Sequence, residues 1–481
     1  MQYLIKFREI VPGFTFQLLV KHNLQVYQGY ISKAFSSGDK TSAQLTLQRS
    51  LLLAGVTFLV AQTPLIIDSG LFLRLLYQKR EVSNAASDMA LIVLPGYLAG
   101  FIYEIFYRTL FSRKHVWPAI VSGAVSGACA LLVQLLSFYV LGWGLVGIAL
   151  ADCFALIGGA IAIMVIFQKH EFVQEMSLLV PSRDALVQWK EMGVSYAASV
   201  VLQIAQRFIY EFPLILGGII STEELATANV VRRYSLLFAL FGMGYTTPCI
   251  ASIGTAIGAR SRTSLYVYTA AIFSAFGVFL TIATAANILL RYPLASMTVE
   301  DANIVEMSAH LTILVAFYDL VKVLISYAIY SIFRGNGSII FPTVISLTTE
   351  YLFGMPLGLY LSLFRGWGIS GYYWAMIASY FIEIALNLFY LWIFLWPQML
   401  KEIDKPKVEV LPVPNNEPGQ SSIQMQPSQM IINGQTEEDI PILAGQQKTS
   451  LGFAVGLKFV IIIFISFAFV IIATCAKVIL Y

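Results

Sequence analysis

The feature that most constrains this chain is a series of long apolar segments separated by short polar loops. A helix that crosses the hydrocarbon core of a bilayer needs about 20 mostly apolar residues. Such segments lie at about 51–75, 86–111, 117–141, 144–167, 194–219, 233–257, 264–290, 307–333, 338–364, 369–396 and 452–480. Membrane-spanning sheets show short alternating segments instead. The sequence therefore predicts an all-α, polytopic membrane protein in contact with membrane lipid.

The composition agrees with a chain whose main solvent is lipid. Hydrophobic residues make up 58% of the sequence and Asp, Glu, Lys and Arg only 12%, about half of the charged share of a typical soluble domain. The net charge of +3 is too small for a basic nucleic-acid-binding face, so we expect no nucleic-acid partner. The four cysteines stand singly in apolar stretches and support neither a zinc site nor a disulfide framework. We expect no cofactor.

The distribution of lysine and arginine predicts which loops are cytoplasmic. Basic residues gather in alternate loops, for example at 33–49, 113–114 and 401–407, and short cytoplasmic loops are enriched in Lys and Arg. Residues 397–451 are rich in Pro, Gln and Ser and cannot bury enough apolar area to offset the entropy of ordering. We interpret them as a disordered cytoplasmic tether that leads to an extra transmembrane helix at 452–480.

An internal repeat divides the chain. The hexapeptide Gly142-Trp-Gly-Leu-Val-Gly147 recurs as Gly366-Trp-Gly-Ile-Ser-Gly371, and an aromatic-proline pair, Trp117-Pro118 and Phe341-Pro342, precedes each copy at the same distance, so that both offsets are 224 residues. Two homologous helix bundles around a central cavity are typical of secondary transporters.

The repeat predicts one helix pattern in two lobes. We expect the segments 86–167 and 307–396 to superpose, because the matched spacing fixes where each loop falls. The predicted domains are an N-terminal lobe at 1–168, a cytoplasmic inter-lobe loop at 169–193, a C-terminal lobe at 194–396, the tether at 397–451 and the extra helix at 452–480.

Several short motifs occur in an order that resembles the multidrug and toxin extrusion (MATE) family. These motifs are Gln28-Gly-Tyr-Ile-Ser-Lys-Ala-Phe-Ser-Ser-Gly38, Ser252-Ile-Gly-Thr-Ala-Ile-Gly-Ala-Arg260, Phe333-Arg-Gly-Asn-Gly337, Gly354-Met-Pro-Leu-Gly358 and Gly366-Trp-Gly-Ile-Ser-Gly371. The resemblance implies a two-lobed secondary transporter, not an enzyme, that exports organic cations or xenobiotics in exchange for protons. The extra C-terminal helix resembles the animal branch. We expect a monomer in the plasma membrane.

The first lobe is short by comparison with the second. In the second lobe the stretch from Trp189 to Arg260 holds two helices, whereas the chain before Gly38 holds too few residues for the corresponding pair. We therefore expect the N-terminal lobe to lack one helix and most of another.

Charged residues inside the predicted spans are candidates for function, because each costs roughly 2.5–3.5 kcal/mol at mid-helix. Those away from the helix ends are Asp68, Glu104, Asp152, Arg207, Glu211, Asp319, Lys322, Glu350 and Glu383. Arg207 and Glu211 lie at i, i+4 on one helix, and Asp319 and Lys322 lie at i, i+3 on another. Either these are two salt bridges that fix helix packing, or Glu211 and Asp319 exchange protons with the cavity and bind a cation. Asp68, Glu104 and Asp152 lie nearer the membrane ends, where they can reach water.

The resemblance also implies roles for particular positions. The family's helix corresponding to 194–219 usually has two glutamates five residues apart; here the second is Glu211 and the first is Gln206, which cannot titrate. Asp319 matches an acidic position before the Arg-Gly motif. A further acidic position of the family corresponds to Arg233. Proton coupling is therefore expected to differ from the family pattern.

A desolvated carboxylate holds a proton at neutral pH, and an arriving cation expels it, so that substrate and proton compete for one site. Tyr210 and Tyr318, each next to a candidate carboxylate, are expected to offer aromatic faces to the cation. Two alternatives remain open, an inactive or repurposed transporter paralogue and a flippase for lipid-linked substrates of the same wider superfamily. A membrane enzyme is disfavoured because the four histidines are scattered without a carboxylate partner.

Overall fold

The computed structural model of the chain describes residues 24–63, 69–75, 80–113, 115–168, 183–187 and 190–404. Within these ranges every regular element is helical, which confirms the all-α prediction. Nine of the described helices are long and apolar enough to cross a membrane. The predicted helix at 452–480, most of the predicted tether and Asp68 lie outside the described residues.

The N-terminal lobe contains α1 to α6. Their bounds are α1 Gln25–Ser37, α2 Lys40–Thr57, α3 Ser69–Leu75, α4 Arg80–Ser112, α5 Trp117–Leu135 and α6 Gly144–Gln168. Single π-helical turns, Phe58–Gln62 and Leu136–Val140, extend α2 and α5. Gly38, with φ 82°, ends α1, and the Asp39 side chain accepts a hydrogen bond from the Ser42 backbone N–H at the start of α2, as expected of a left-handed C-terminal glycine and an N-cap aspartate.

The C-terminal lobe contains α7 to α13. Their bounds are α7 Lys190–Ile220, α8 Thr222–Gly258, α9 Arg262–Leu289, α10 Arg291–Ser296, α11 Ala302–Asn336, α12 Ile340–Phe364 and α13 Gly368–Ile403. A short 3-10 turn, Arg183–Leu186, precedes α7. The helices α7, α8 and α13 extend beyond the apolar spans predicted from the sequence, because helical backbone continues into polar residues that hydropathy does not include.

The sequence repeat is visible in the backbone of the two lobes. The helices α4, α5 and α6 follow one another as α11, α12 and α13 do, and the α5–α6 and α12–α13 loops have the same conformation. In the first loop the Trp143 N–H donates to the Ser137 carbonyl at 3.0 Å, and in the second the Trp367 N–H donates to the Leu361 carbonyl at 3.1 Å. The flanking glycines have positive φ, which glycine adopts without strain: Gly142 63°, Gly144 51°, Gly366 72° and Gly368 61°.

Small residues bring the two lobes into backbone contact where α1 packs on α8. A Cβ added at Gly254 would lie 2.7 Å from the Gly29 carbonyl oxygen, and one added at Gly258 would lie 2.3 Å from the Lys33 carbonyl oxygen. Both values are below a normal van der Waals contact, so only glycine allows α1 and α8 to approach this closely.

We expect Gly254→Ala to destabilise the protein by roughly 1–3 kcal/mol, because the added methyl group forces two backbones apart. Gly244→Ala is the matched control on the same helix, since nothing lies within 4 Å of its added Cβ; it should be neutral or stabilise by up to about 1 kcal/mol through helix propensity. Thermal unfolding of the two purified variants measures the difference. Equal midpoints would contradict the close packing of α1 on α8.

The ends of the helices near the predicted basic loops are joined by ion pairs. Lys33 of α1 pairs with Glu402 near the end of α13. Arg262 of α9 donates from Nε to Asp404 Oδ1 at 2.8 Å, and this hydrogen bond lowers the pKa of the Asp404 carboxyl. These pairs fix the end of α13 against both lobes at the side that the basic loops predict to be cytoplasmic.

Candidate functional site

A proline in α7 frees a backbone carbonyl close to the first candidate carboxylate, Glu211. Pro213 has no N–H to donate to the carbonyl of Ile209, one turn earlier, and so leaves that carbonyl free. The Tyr372 hydroxyl of α13 donates to it at 2.7 Å. Glu211 lies between these two positions, so α13 holds the part of α7 that carries it.

Glu211 is buried, with 3% of its surface exposed, and is held by two arginines. Arg207 Nη2 lies 2.8 Å from Glu211 Oε1 on the same helix, as the i, i+4 spacing predicted. Arg232 of α8 contacts Oε2, and this contact was not predicted. Arg233, which the resemblance matched to an acidic position of the family, is exposed, and its neighbour Arg232 is the residue that reaches the site.

The second candidate carboxylate, Asp319 of α11, does not form the predicted salt bridge with Lys322. Its Oδ1 accepts a hydrogen bond of 2.6 Å from Ser235 of α8, and its buried Oδ2 has no hydrogen-bond partner among the described residues. Lys322 instead donates from Nζ to the Tyr318 hydroxyl at 3.0 Å. The expected pairing is wrong because the Lys322 ammonium group contacts the Tyr318 hydroxyl and the Tyr210 ring instead of the Asp319 carboxylate.

Two tyrosine rings hold the basic side chains together. Lys322 Nζ lies 4.7 Å from the centroid of the Tyr210 ring and 5.2 Å from that of Tyr318. Arg207 Cζ lies 5.3 Å and Arg232 Cζ 6.0 Å from the Tyr210 centroid, within the range of cation–π attraction. We call this cluster the Tyr210 site, and it consists of Arg207, Tyr210, Glu211, Arg232, Tyr318, Asp319 and Lys322.

The structure therefore brings six of the seven predicted site residues together, from α7 and α11, and adds Arg232 from α8. Gln206, the seventh, is buried on α7 with 9% of its surface exposed. Sequence reasoning missed Arg232 and Ser235 because contacts between helices leave no periodic signal along the chain. The signal that could have found Arg232 is its charge directly before the predicted span at 233–257.

A break in helical geometry follows the site directly. The segment Leu324–Ile329 of α11 is π-helical and begins two residues after Lys322. Another π-helical segment, Leu347–Gly354, carries Glu350 on α12. Such widened turns often occur at functional sites because they redirect side chains.

A buried ion pair also lies among the described residues of the first lobe. Arg108 Nη2 lies 3.1 Å from Glu104 Oε2 on α4, and both side chains are buried. The expectation that Glu104 reaches water is wrong. Among the described residues no group of three or more His, Cys, Asp and Glu side chains is arranged to hold a metal ion.

The fold and the site define a class of protein, a multi-pass helical membrane protein of two related lobes with charged side chains buried among its helices, as in secondary transporters. The MatE family model matches residues 27–139 and 198–360. This covers more than half of the chain, and the chain belongs to the MATE family.

Curated relatives agree with this assignment. The chain is 22% identical over 376 residues to multidrug and toxin extrusion protein 1 of Danio rerio, a match that covers 77% of this chain and 62% of the relative. It is 23% identical over 368 residues to multidrug and toxin extrusion protein 2 of Oryctolagus cuniculus, covering 75% of this chain and 59% of the relative. The chain thus spans about 60% of the length of these relatives.

Solved structures show the same fold. The crystal structure of the eukaryotic MATE transporter AtDTX14 is similar with a TM-score of 0.76 at 14% identity, covering 84% of this chain and 89% of that one. A MATE structure in complex with MaD3S is similar with a TM-score of 0.67 at 16% identity, covering 83% and 88%. Family membership supports a transporter rather than an enzyme, as the sequence predicted.

Proposed function

We propose that the chain is a secondary transporter that exports organic cations in exchange for protons, that it acts as a monomer in the plasma membrane, and that the Tyr210 site binds both cation and proton. Membership of the MATE family supports transport, and the relatives are named for the extrusion of drugs and toxins. The chemistry of the site supports a cationic substrate.

The observation that carries this proposal is the environment of Asp319. Asp319 is 7% exposed, and one of its carboxylate oxygens has no partner in the part of the chain that the structure describes, which costs free energy unless a proton or a cation satisfies it. The rings of Tyr210 and Tyr318 already hold a cation, the ammonium group of Lys322, at the distances given above. A site that binds its own ammonium group between aromatic faces has the chemistry to bind an organic ammonium ion.

The two candidate carboxylates differ in their partners. Glu211 is neutralised by Arg207 and Arg232, whereas Asp319 has Ser235 and no direct ion pair among the described residues. We therefore assign the exchange of proton and substrate to Asp319. Glu211 holds the two arginines in place and positions the Tyr210 ring.

The test is uptake of a fluorescent organic cation into vesicles that contain only the purified full chain. With the vesicle interior acidic, cations should accumulate, and a protonophore should collapse the accumulation. Uptake that follows an imposed sodium gradient and ignores the proton gradient would contradict proton coupling. No uptake under either gradient would contradict the proposed transport.

A second candidate substrate follows from the three basic side chains of the site. Arg207, Arg232 and Lys322 also suit an anionic headgroup, such as the phosphates of a lipid-linked substrate, because guanidinium groups bind phosphate with two hydrogen bonds. A flippase would translocate a lipid-linked phosphate in the same vesicles without a proton gradient. A paralogue without transport would show neither activity while still folding.

A further inference from the structure

A second pair of carboxylates lies deeper in the C-terminal lobe, outside the Tyr210 site. Glu350 of α12 is 1% exposed and Glu383 of α13 is 0% exposed. The two carboxylates are close enough to interact electrostatically. Glu383 accepts hydrogen bonds from the Tyr330 hydroxyl of α11 and, at 3.3 Å, from Thr349 Oγ1 of α12. Three helices therefore enclose the pair.

One carboxylate oxygen of the pair, Glu350 Oε2, is buried without a hydrogen-bond partner among the described residues. The Ser346 hydroxyl, one turn earlier and fully buried, faces both carboxylates. Buried polar atoms are nearly always paired, so the unpaired Glu350 oxygen indicates that a small ligand completes the site.

The surroundings of the pair identify that ligand as a positive charge. Neither Glu350 nor Glu383 forms an ion pair with a described cation, and two neighbouring carboxylates that are both ionised repel each other. An isolated buried carboxylate costs too much free energy to remain ionised. One proton removes this repulsion and leaves a single negative charge for the Lys322 ammonium group, which interacts electrostatically with both carboxylates.

The other charged and titratable groups around the pair do not supply this charge. Arg334 lies 5.7 Å from the Tyr330 ring centroid and donates to the Ser326 carbonyl, and it forms no ion pair with a described carboxylate. Tyr330 and Tyr380 face the pair as hydroxyls and bring no charge of their own.

A row of hydroxyl groups connects the pair to the Tyr210 site. Lys322 donates to the Tyr318 hydroxyl at 3.0 Å, the Tyr318 and Tyr380 hydroxyls are 3.5 Å apart, and Tyr380 faces Glu350. Lys322 also interacts electrostatically with both Glu350 and Asp319. Any change in the position or charge of Lys322 therefore changes the electrostatic energy of the carboxylates at both sites.

We propose that Glu350 and Glu383 share one proton and form a second proton-binding site, coupled to Asp319 through Lys322, Tyr318 and Tyr380. The coupling to substrate rests on the transport proposed above, but the shared proton does not. When a cation occupies the Tyr210 site and repels Lys322, the ammonium group is drawn toward Glu350, and the pair releases its proton.

Infrared spectroscopy of the purified full chain at neutral pH tests the shared proton without any transport. A protonated carboxyl has a carbonyl stretching band that ionised carboxylates lack. We expect this band in the unmodified protein, and we expect it to shift when glutamate carries a ¹³C-labelled carboxyl; a second band, from the proton exchanged at Asp319, shifts with labelled aspartate instead. Absence of the band, or a shift with labelled aspartate only, would overturn the proposal. A band that disappears when sodium is added would identify a sodium site and also overturn it.

Variants give a second signature, because one shared proton is lost only once. Glu350→Gln, Glu383→Gln and the double variant should each lose the band to the same extent, whereas two independent protons would be lost additively. Lys322→Met should gain one protonated carboxyl. Glu306→Gln is the control, since that side chain is 70% exposed, and it should leave the spectrum unchanged. Asp319→Asn should keep the band.

The coupling is measured separately as the number of protons moved for each cation. Glu383→Gln should lower this ratio by one and leave equilibrium binding of the fluorescent cation within about twofold of the unmodified protein. An unchanged ratio would overturn the coupling. If the unmodified chain transports nothing, the proposed function fails, whereas the infrared band still decides whether the pair holds a proton.

Discussion

Replacing Asp319 with asparagine is expected to abolish cation uptake driven by an outward proton gradient. Asparagine keeps the size of the side chain and an oxygen that accepts the 2.6 Å hydrogen bond from Ser235, but it cannot ionise. The affinity for the cation should fall roughly 10- to 100-fold, because a lost contact to a charged group costs about 1.5–3 kcal/mol. Vesicle uptake and equilibrium binding of a fluorescent cation measure the two effects.

Asp301→Asn is the matched control for this substitution. Asp301 is the exposed N-cap of the same helix, where its side chain accepts a hydrogen bond from the Asn303 N–H, and asparagine caps a helix about as well as aspartate. Its uptake should equal that of the unmodified chain. If Asp319→Asn folds and transports at the unmodified rate, Asp319 is not the exchanging carboxylate.

The sequence predicted the features that depend on neighbours along the chain. Most of the apolar segments that the structure describes correspond to single helices, because a lipid-facing backbone must satisfy its hydrogen bonds within each segment; the segment predicted at 51–75 is instead divided between α2 and α3. The two Gly-Trp-Gly loops adopt one conformation because the same glycines take positive φ in both lobes. The Arg207–Glu211 ion pair forms because residues at i, i+4 lie side by side on one helix.

The contacts between helices were not predictable in this way. Arg232 reaches Glu211 from α8, and Ser235 reaches Asp319, through helix crossings that no spacing in the sequence encodes. Lys322 had the spacing to pair with Asp319 but is attracted by the Tyr210 and Tyr318 rings, which another helix and its own helix supply. An aromatic ring from a neighbouring helix competes with a carboxylate on the same helix for the lysine ammonium group. Only the packed structure shows which of the two the ammonium group contacts.

Glu350 and Glu383 illustrate the same limit. Both were recognised as charges inside predicted spans, yet they lie on different helices, 33 positions apart in the sequence, and nothing along the chain indicated that they meet. The Tyr330 hydroxyl of α11 and the Thr349 hydroxyl of α12 donate hydrogen bonds to Glu383. The sequence identified the charged residues that are costly to place inside a membrane span. The packing of the helices determines which of these residues lie together.

The second large effect is expected from Glu211→Gln, which removes the carboxylate that pairs with Arg207 and Arg232 in the Tyr210 site. Breaking a largely buried ion pair by removing one partner should destabilise the protein by about 3–5 kcal/mol. Thermal unfolding and the yield of folded protein measure this loss. Glu402→Gln breaks the ion pair with Lys33, whose side chains are 32% and 35% exposed, and should cost only about 0.2–1 kcal/mol.

A second substitution then separates a positioning role for Glu211 from a role in exchange. Glu211→Gln combined with Arg232→Met restores the net charge of the unmodified site and leaves Arg207 within reach of the glutamine oxygen, so stability should return to within about 1 kcal/mol. If Glu211 only positions the arginines and the Tyr210 ring, the double variant regains proton-driven uptake together with its stability. If it regains stability but not uptake, Glu211 itself carries an exchanged proton, and the assignment of exchange to Asp319 alone is wrong. Full stability of the single variant would show that the two arginines do not depend on this carboxylate.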